Sequence, residues 1–307
     1  MFSLCITGCN KLAPTEPNPQ SGSLSQIDKQ TLDNIISQDA LFTSDAATLD
    51  DGSATRSLLI SNSINGLLPN SASDDTVFTP LAWGRTFSGW TSNKAYDQVN
   101  DSIVIATITN TLTGKLWIYS TIGIKQKPIT MITIRNVKFF KEPFKDSTRW
   151  VEKFVSVMQG NTTSGIDTIA ITDLTFFAGN EMIDVTSPPD EYYLQTGIPR
   201  RHGLPDMVRD ASRKFTIQAT VLSSTPDSDV VVLYHPNNAV VRIRERMAHV
   251  SVTSNGNETY THVYKRSWLG DIQGRHTITV SALSKRSLYD TTAAVTSQEW
   301  GIPYIVQ

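Results

Sequence analysis

From about residue 77 the chain repeats one pattern. Short runs in which Ile, Val, Thr or an aromatic residue alternates with a polar one are broken by Gly, Pro, Asn or Asp. A period of two puts successive side chains on opposite faces of an extended strand, so these runs specify half-buried sheet. The pattern predicts strands over Ser102–Thr109, Lys115–Tyr119, Ile129–Phe140, Trp150–Met158 and Ile166–Phe177. It predicts a second set over Lys214–Leu222, Asp229–Tyr234, Val240–Thr253, Glu258–Trp268, Gly274–Leu283 and Ile302–Val306. Thr113-Gly114 reads as a hairpin turn between the first two. The gaps are short, so neighbouring strands are expected to be antiparallel and the fold mainly β.

A helix is expected to open the folded part. Leu24, Ile27, Leu32, Ile35 and Ile36 fall near one helical face, and Ser25 followed by Asp28 resembles a capping box. A second helical piece is expected over Asp39–Leu49, followed by a turn at Asp50-Asp51-Gly52. Asp45, Asp50 and Asp51 cluster there without EF-hand spacing, so they read as turn residues, not a calcium site. At 307 residues the chain has room for two domains. The break is expected where Ser187-Pro-Pro begins an irregular stretch. The expected division is 24–187 for an α+β domain, 188–212 for a linker and 213–307 for a second β domain.

One or two helices followed by a long curved antiparallel sheet resemble the NTF2-like, or SnoaL-like, cone fold. The stretch Ile132–Phe140, a loop, then Arg149-Trp-Val-Glu-Lys-Phe-Val-Ser-Val157 carries that likeness. The resemblance implies a pocket inside the cone, with Tyr96, Asp97 and Asp101 as possible pocket groups. Enzymes of that family place Asp/His or Tyr/Asp sets there. All five histidines lie after residue 199, so no His-based catalysis carries over. The strand spacing of 213–307 resembles an immunoglobulin-like β-sandwich without its disulfide.

The N-terminus reads differently. Ile6-Thr7-Gly8-Cys9 resembles the lipobox of bacterial lipoproteins, which implies acylation of Cys9 and attachment to a membrane through lipid alone. Eight residues precede Cys9 with no basic residue among them, which implies a start further upstream. Residues 11–23 carry Pro14, Pro17 and Pro19 and then Gly and Ser, as an extended tether would. Cys5 and Cys9 are the only cysteines, so the body can hold no disulfide. No run of residues is long and apolar enough for a transmembrane helix.

Charge is uneven. Residues 1–199 carry 14 Lys/Arg against 20 Asp/Glu, and residues 200–307 carry 13 against 9. Such halves could associate head to tail between molecules, or simply reflect ordinary variation. The net charge of −2 gives no case for nucleic acid. Arg242, Arg244 and Arg246 alternate along one expected strand, with Lys265 and Arg266 nearby, as a basic ribbon that could meet a protein partner. Asn255-Gly256 is a preferred type I′ turn pair and would set His249 opposite His262 and Ser251 opposite Tyr260. Two imidazoles lack a third ligand, so no metal is expected. Trp300 and Tyr304 lie in an apolar terminal strand expected to pair within its sheet or with a neighbour. No phosphate loop, zinc-protease helix or nucleophile elbow is present. The expectation is a non-catalytic lipoprotein of the bacterial cell envelope or surface. It would need no cofactor and act in assembly or protein–protein contact, up to a surface filament. The alternatives are a small-molecule or glycan binder using the cone pocket and, further off, a SnoaL-like pocket enzyme.

Overall fold

The computed structural model describes residues 24–39, 41–42, 49–51, 78–120, 122–165, 167–178, 181–196, 206–207, 214–236, 242–269 and 274–306. Helix α1 (Gln26–Gln38) comes first. A long meander follows, made of β1 (Pro80–Asn100), β2 (Ile103–Ser120) and β3 (Gly123–Phe144). Next are β4 (Ser147–Ser156), β5 (Met158–Thr162), β6 (Ile169–Ala178), β7 (Glu181–Thr186), β8 (Tyr193–Gln195) and β9 (Asp206–Met207). The remainder is β10 (Lys214–Ser223), β11 (Val230–Pro236), β12 (Arg242–Arg246), β13 (Ala248–Gly256), β14 (Thr259–Leu269), β15 (Gly274–Leu283), the short helix α2 (Lys285–Tyr289) and β16 (Ser297–Val306).

The fold is mainly β, with two sheets. The larger runs β1-β2-β3-β5-β16-β15-β11-β12, with β4 and β8 branching from β3 and β9 beside β16. The smaller runs β13-β14-β10-β6-β7. Every pairing is antiparallel except β9 with β16. Each sheet takes strands from both sides of residues 188–212. β16 lies between β5 and β15, and β10 lies between β6 and β14. The sheets therefore do not divide at the expected boundary. The backbone donors and acceptors of β5 and β6 are completed by strands more than thirty residues further on.

Two apolar clusters result. In one, the inner face of the small sheet packs on β15 and β16, with Phe176, Phe215, Trp268 and Tyr304 in mutual ring contact at 5.5–6.5 Å. Leu32 and Ile36 of α1 join it, four residues apart on one helical face. Ser25 caps that helix by accepting the Asp28 N–H, as the sequence suggested, but Ile27 points to solvent. The other cluster joins Leu112, Leu116 and Ile118 of β2 to Val230, Val232 and Tyr234 of β11. Strands β2 and β3 use one face for both clusters. Asn110, Thr133 and Arg135 form a buried polar belt between them.

The large sheet rolls until its ends meet. Arg244 of β12 donates to the carbonyl of Trp83 on β1 at 2.8 Å and to Asp51 at 2.9 Å. Inside the roll, Arg85 of β1 pairs with Glu299 of β16 at 2.6 Å, both side chains 0% exposed. Arg85 also donates to the Tyr234 hydroxyl at 2.8 Å, and Ser281 and Ser297 each donate to Glu299 at 2.9 Å. Burial disfavours the charge on Arg85, but Tyr234, Glu299 and Asp51 outweigh it and hold the guanidinium protonated. Burial pushes Glu299 upward against the pull of Arg85.

Three local expectations change. Thr113-Gly114 is no turn, because β2 runs unbroken through it and turns only after Ser120. Gly114 serves close approach instead, since a Cβ there would lie 1.9 Å from the Thr86 carbonyl oxygen. The expected strand Val240–Thr253 breaks at buried Met247, where the chain leaves the large sheet as β12 and enters the small one as β13. The hairpin after β13 turns at Asn257-Glu258, both at positive φ (50° and 58°), not at Asn255-Gly256. Asn255 is instead tied to Thr261, and Gly256 at φ 79° sits at a bulge. The register therefore slides. His249 faces Tyr264, Val252 faces His262, and Ser251 faces Val263.

We predict that Arg85→Met, which strands the Glu299 carboxylate in the interior, lowers stability by about 3–5 kcal/mol. The double variant Arg85→Met with Glu299→Gln should lose less, because no charge is left unpaired. Urea unfolding midpoints of the two variants and the parent check this. A double variant as unstable as the single one would be the opposite result.

Candidate functional site

The residues singled out in the sequence are not gathered into one place. Cys9 and the tether lie outside the described residues, as does the side chain of Arg242. Arg244 is spent internally, paired with Asp51 and stacked on Trp83 at 4.4 Å. Arg266 makes two bonds to Glu245, at 2.7 and 2.6 Å. Arg246 and Lys265 are exposed. The basic ribbon is thus dispersed, because β12 and β14 belong to different sheets. Trp300 and Tyr304, expected at an interaction surface, are instead fully buried in a central strand.

The charge asymmetry between the halves has an internal use. Arg244, Arg275 and Arg286 pair with Asp51, with Asp39 and Glu152, and with Asp167, so basic residues of the later part meet acidic ones of the earlier part. Asp50 and Asp51 accept the backbone N–H groups of Phe87 and Arg85, which fixes the acidic turn as a cap on β1.

His249 and His262, expected directly opposite, meet on a diagonal with Nε2 and Nδ1 3.1 Å apart. His262 is buried and its Nε2–H donates to the Thr225 carbonyl at 2.9 Å, so its Nδ1 is the acceptor in the neutral ring. Among the described residues no group of three or more His, Cys, Asp or Glu converges as metal ligands. No described helix is long and apolar enough to cross a membrane.

Four strands end the two sheet paths, and three carry charges. β1 has Arg85, Lys94 and Asp97; β12 has three Arg and Glu245; β7 has Glu181 and Asp184. Charge on an edge strand resists pairing with a stray chain. β13, Ala248-His-Val-Ser-Val-Thr-Ser-Asn-Gly256, has no charged residue. All nine of its residues are exposed, with Val250 at 58% and Val252 at 44%.

Two of the cavities among the described residues bear on the site. One, of about 510 Å³, lies among the loops near Asp167, Asp229 and α2. The other, of about 430 Å³, lies between α1 and the β1–β2 sheet and is lined by Asp33, Trp90, Lys94 and Tyr96 among others. Tyr96 lines this cavity, whereas Asp97 and Asp101 are exposed. The Tyr96 hydroxyl donates to Asp33 at 2.6 Å and Lys94 to the same oxygen at 2.9 Å. Burial works to raise Asp33, but these two donors prevail and hold it below its usual range.

The end of α1 is fastened by Arg275 of β15, which bridges Asp39 and Glu152. Burial raises Glu152 to about 7; Arg275 opposes this and neighbouring Asp39 adds to it. No sequence pattern announces this cluster, because its members are more than a hundred residues apart.

No family model matches the chain, and neither a curated protein nor a solved structure matches it.

A carboxyl that binds its proton more tightly in the folded state favours folding at low pH. Its contribution shrinks as pH rises from the ordinary glutamate range towards 7. Glu152→Gln should flatten the stability–pH curve between about pH 4.5 and 7. Thermal unfolding of both proteins across that range measures it, and parallel curves would contradict the assignment.

Proposed function

We propose that the protein is a non-catalytic component of the bacterial cell envelope that docks other polypeptide chains by strand addition along β13. The observation that carries this reading is the absence of charge on β13 beside three charged sheet ends. An edge offers a row of backbone donors and acceptors. An incoming extended segment gains main-chain hydrogen bonds and sets its side chains against the exposed ones. The bulge between His249 and Ser251 bends the near half of the strand, which leaves the stretch from Ser251 onward as the regular part. With no charge on β13 to select for an oppositely charged segment, the fitting partner is an uncharged strand rich in β-branched residues.

The lipobox-like Ile6–Cys9 supports a lipid anchor at Cys9, and the Pro-rich stretch after it supports a tether that holds the body away from the membrane. Anchorage would concentrate the edge near other envelope proteins, so a modest affinity suffices.

Val250→Lys with Val252→Lys should leave stability within about 0.5 kcal/mol, as both residues are exposed. Self-association or partner recovery from envelope extracts should fall sharply. Sedimentation and cross-linking at several salt concentrations read this out. A parent chain that stays monomeric and partnerless throughout would rule the docking role out. For the anchor, intact mass of protein recovered from cells should show a chain beginning at an acylated Cys9, and Cys9→Ser should release it from the membrane fraction.

A further inference from the structure

We infer that the cavity between α1 and the β1–β2 sheet is a binding site for a neutral saccharide. Its walls are of two kinds. Trp90 lines it with its side chain half exposed, at 51%, and Phe42, Ile36 and Ile108 supply further apolar surface. Asp33, Lys94 and Ser92 supply polar groups on the same cavity. A large aromatic ring left half in water beside a cavity is apolar surface without a cover. What covers such a ring and also satisfies polar groups beside it is a ligand with one apolar flat face and a rim of hydroxyls. A pyranose has that form. Its axial C–H face lies on an aromatic ring, and its hydroxyls both donate and accept.

Charge decides against other ligands of similar size. Among the described residues the lining carries one carboxylate, Asp33, and one ammonium, Lys94, and these pair at 2.9 Å. The site is therefore electrically balanced, and neither an anion nor a cation finds an uncompensated partner in it. Tyr96 and Lys94 both bind Asp33 through Oδ1. The carboxylate is thus oriented from one side, while its side chain remains 45% exposed. An ionised carboxylate can only accept hydrogen bonds, so the complementary group is a hydroxyl donor, and the pull of its partners keeps it ionised. The volume, about 430 Å³, falls within the range of small-ligand pockets. This site is remote in sequence from β13 and stands independently of the docking role.

The test uses the full chain and a panel of neutral sugars: glucose, galactose, mannose, N-acetylglucosamine, maltose, cellobiose and chitobiose. The charged probes glucuronate and glucose 6-phosphate run beside them. Calorimetry measures affinity, and the indole N–H resonance of Trp90, assigned with Trp90→Phe, reports where binding occurs. At least one neutral sugar should bind saturably and shift that resonance. Trp90→Ala should weaken it roughly tenfold or more, Asp33→Asn should weaken it similarly, and Trp90→Phe should stay within about threefold. Circular dichroism of each variant confirms folding, and Val252→Lys should bind as the parent does. The inference is overturned if no neutral sugar binds up to ~0.1 M. It is equally overturned if Trp90→Ala binds unchanged, or if a charged probe is preferred to its neutral parent.

Discussion

The buried pair of Arg85 and Glu299 ties an end strand of the large sheet to its centre. Arg85 stands on the first strand of the path, and Glu299 stands on the central one. A guanidinium and a carboxylate taken out of water together are costly, and the cost is offset only if every neighbouring polar group is well placed. Tyr234 of β11, Ser281 of β15 and Ser297 of β16 itself bond to the pair, and Asp51 lies close enough to hold Arg85 charged. These bonds are made together in one rolled arrangement of the sheet. Apolar packing alone would tolerate many slightly different rolls, but this network fits one.

The small sheet packs on the central strands of the large one. β15 and β16 are buried on both faces, with Trp300, Ile302 and Tyr304 towards the small sheet and Glu299 towards the roll. That explains why the apolar terminal strand, which pairs within its own sheet, holds aromatic residues that never reach the surface. It also explains why acidic residues of the earlier part and basic ones of the later part pair so often. They lie on segments that are distant in sequence and adjacent in space.

The sequence revealed several strand positions and few of their partners. A period of two is local, so Lys214–Leu222 was found within a residue of its true bounds, and the Ser25 cap of α1 likewise, but Ile129–Phe140 is only the middle of Gly123–Phe144 and Pro80–Asn100 was not delimited. Pairing is not local. Nothing within Met158–Thr162 states that its neighbour is Ser297–Val306. Gly114 misled because glycine marks turns and close approaches alike, and only the Thr86 carbonyl distinguishes them. The hairpin misled for a related reason. Asn255-Gly256 and Asn257-Glu258 both admit positive φ, and the bond from Asn255 to Thr261 accompanies the second. Of the residues lining the α1 cavity, only Tyr96 was singled out beforehand as a pocket residue, and as part of a cone pocket. Asp33 and Trp90 were not, because α1 and β1 are joined by a long stretch that hides their proximity.

The placement of β16 has a consequence for synthesis. It follows every other described strand in the chain, yet it fills the gap between β5 and β15. Until residues 297–306 have been delivered, those two strands stand with open backbone edges and Arg85 lacks Glu299. The large sheet cannot close progressively as the chain emerges, and its core forms in one late, cooperative step dominated by long-range pairings. The nascent protein is therefore expected to depend on a holding chaperone until its last strand arrives.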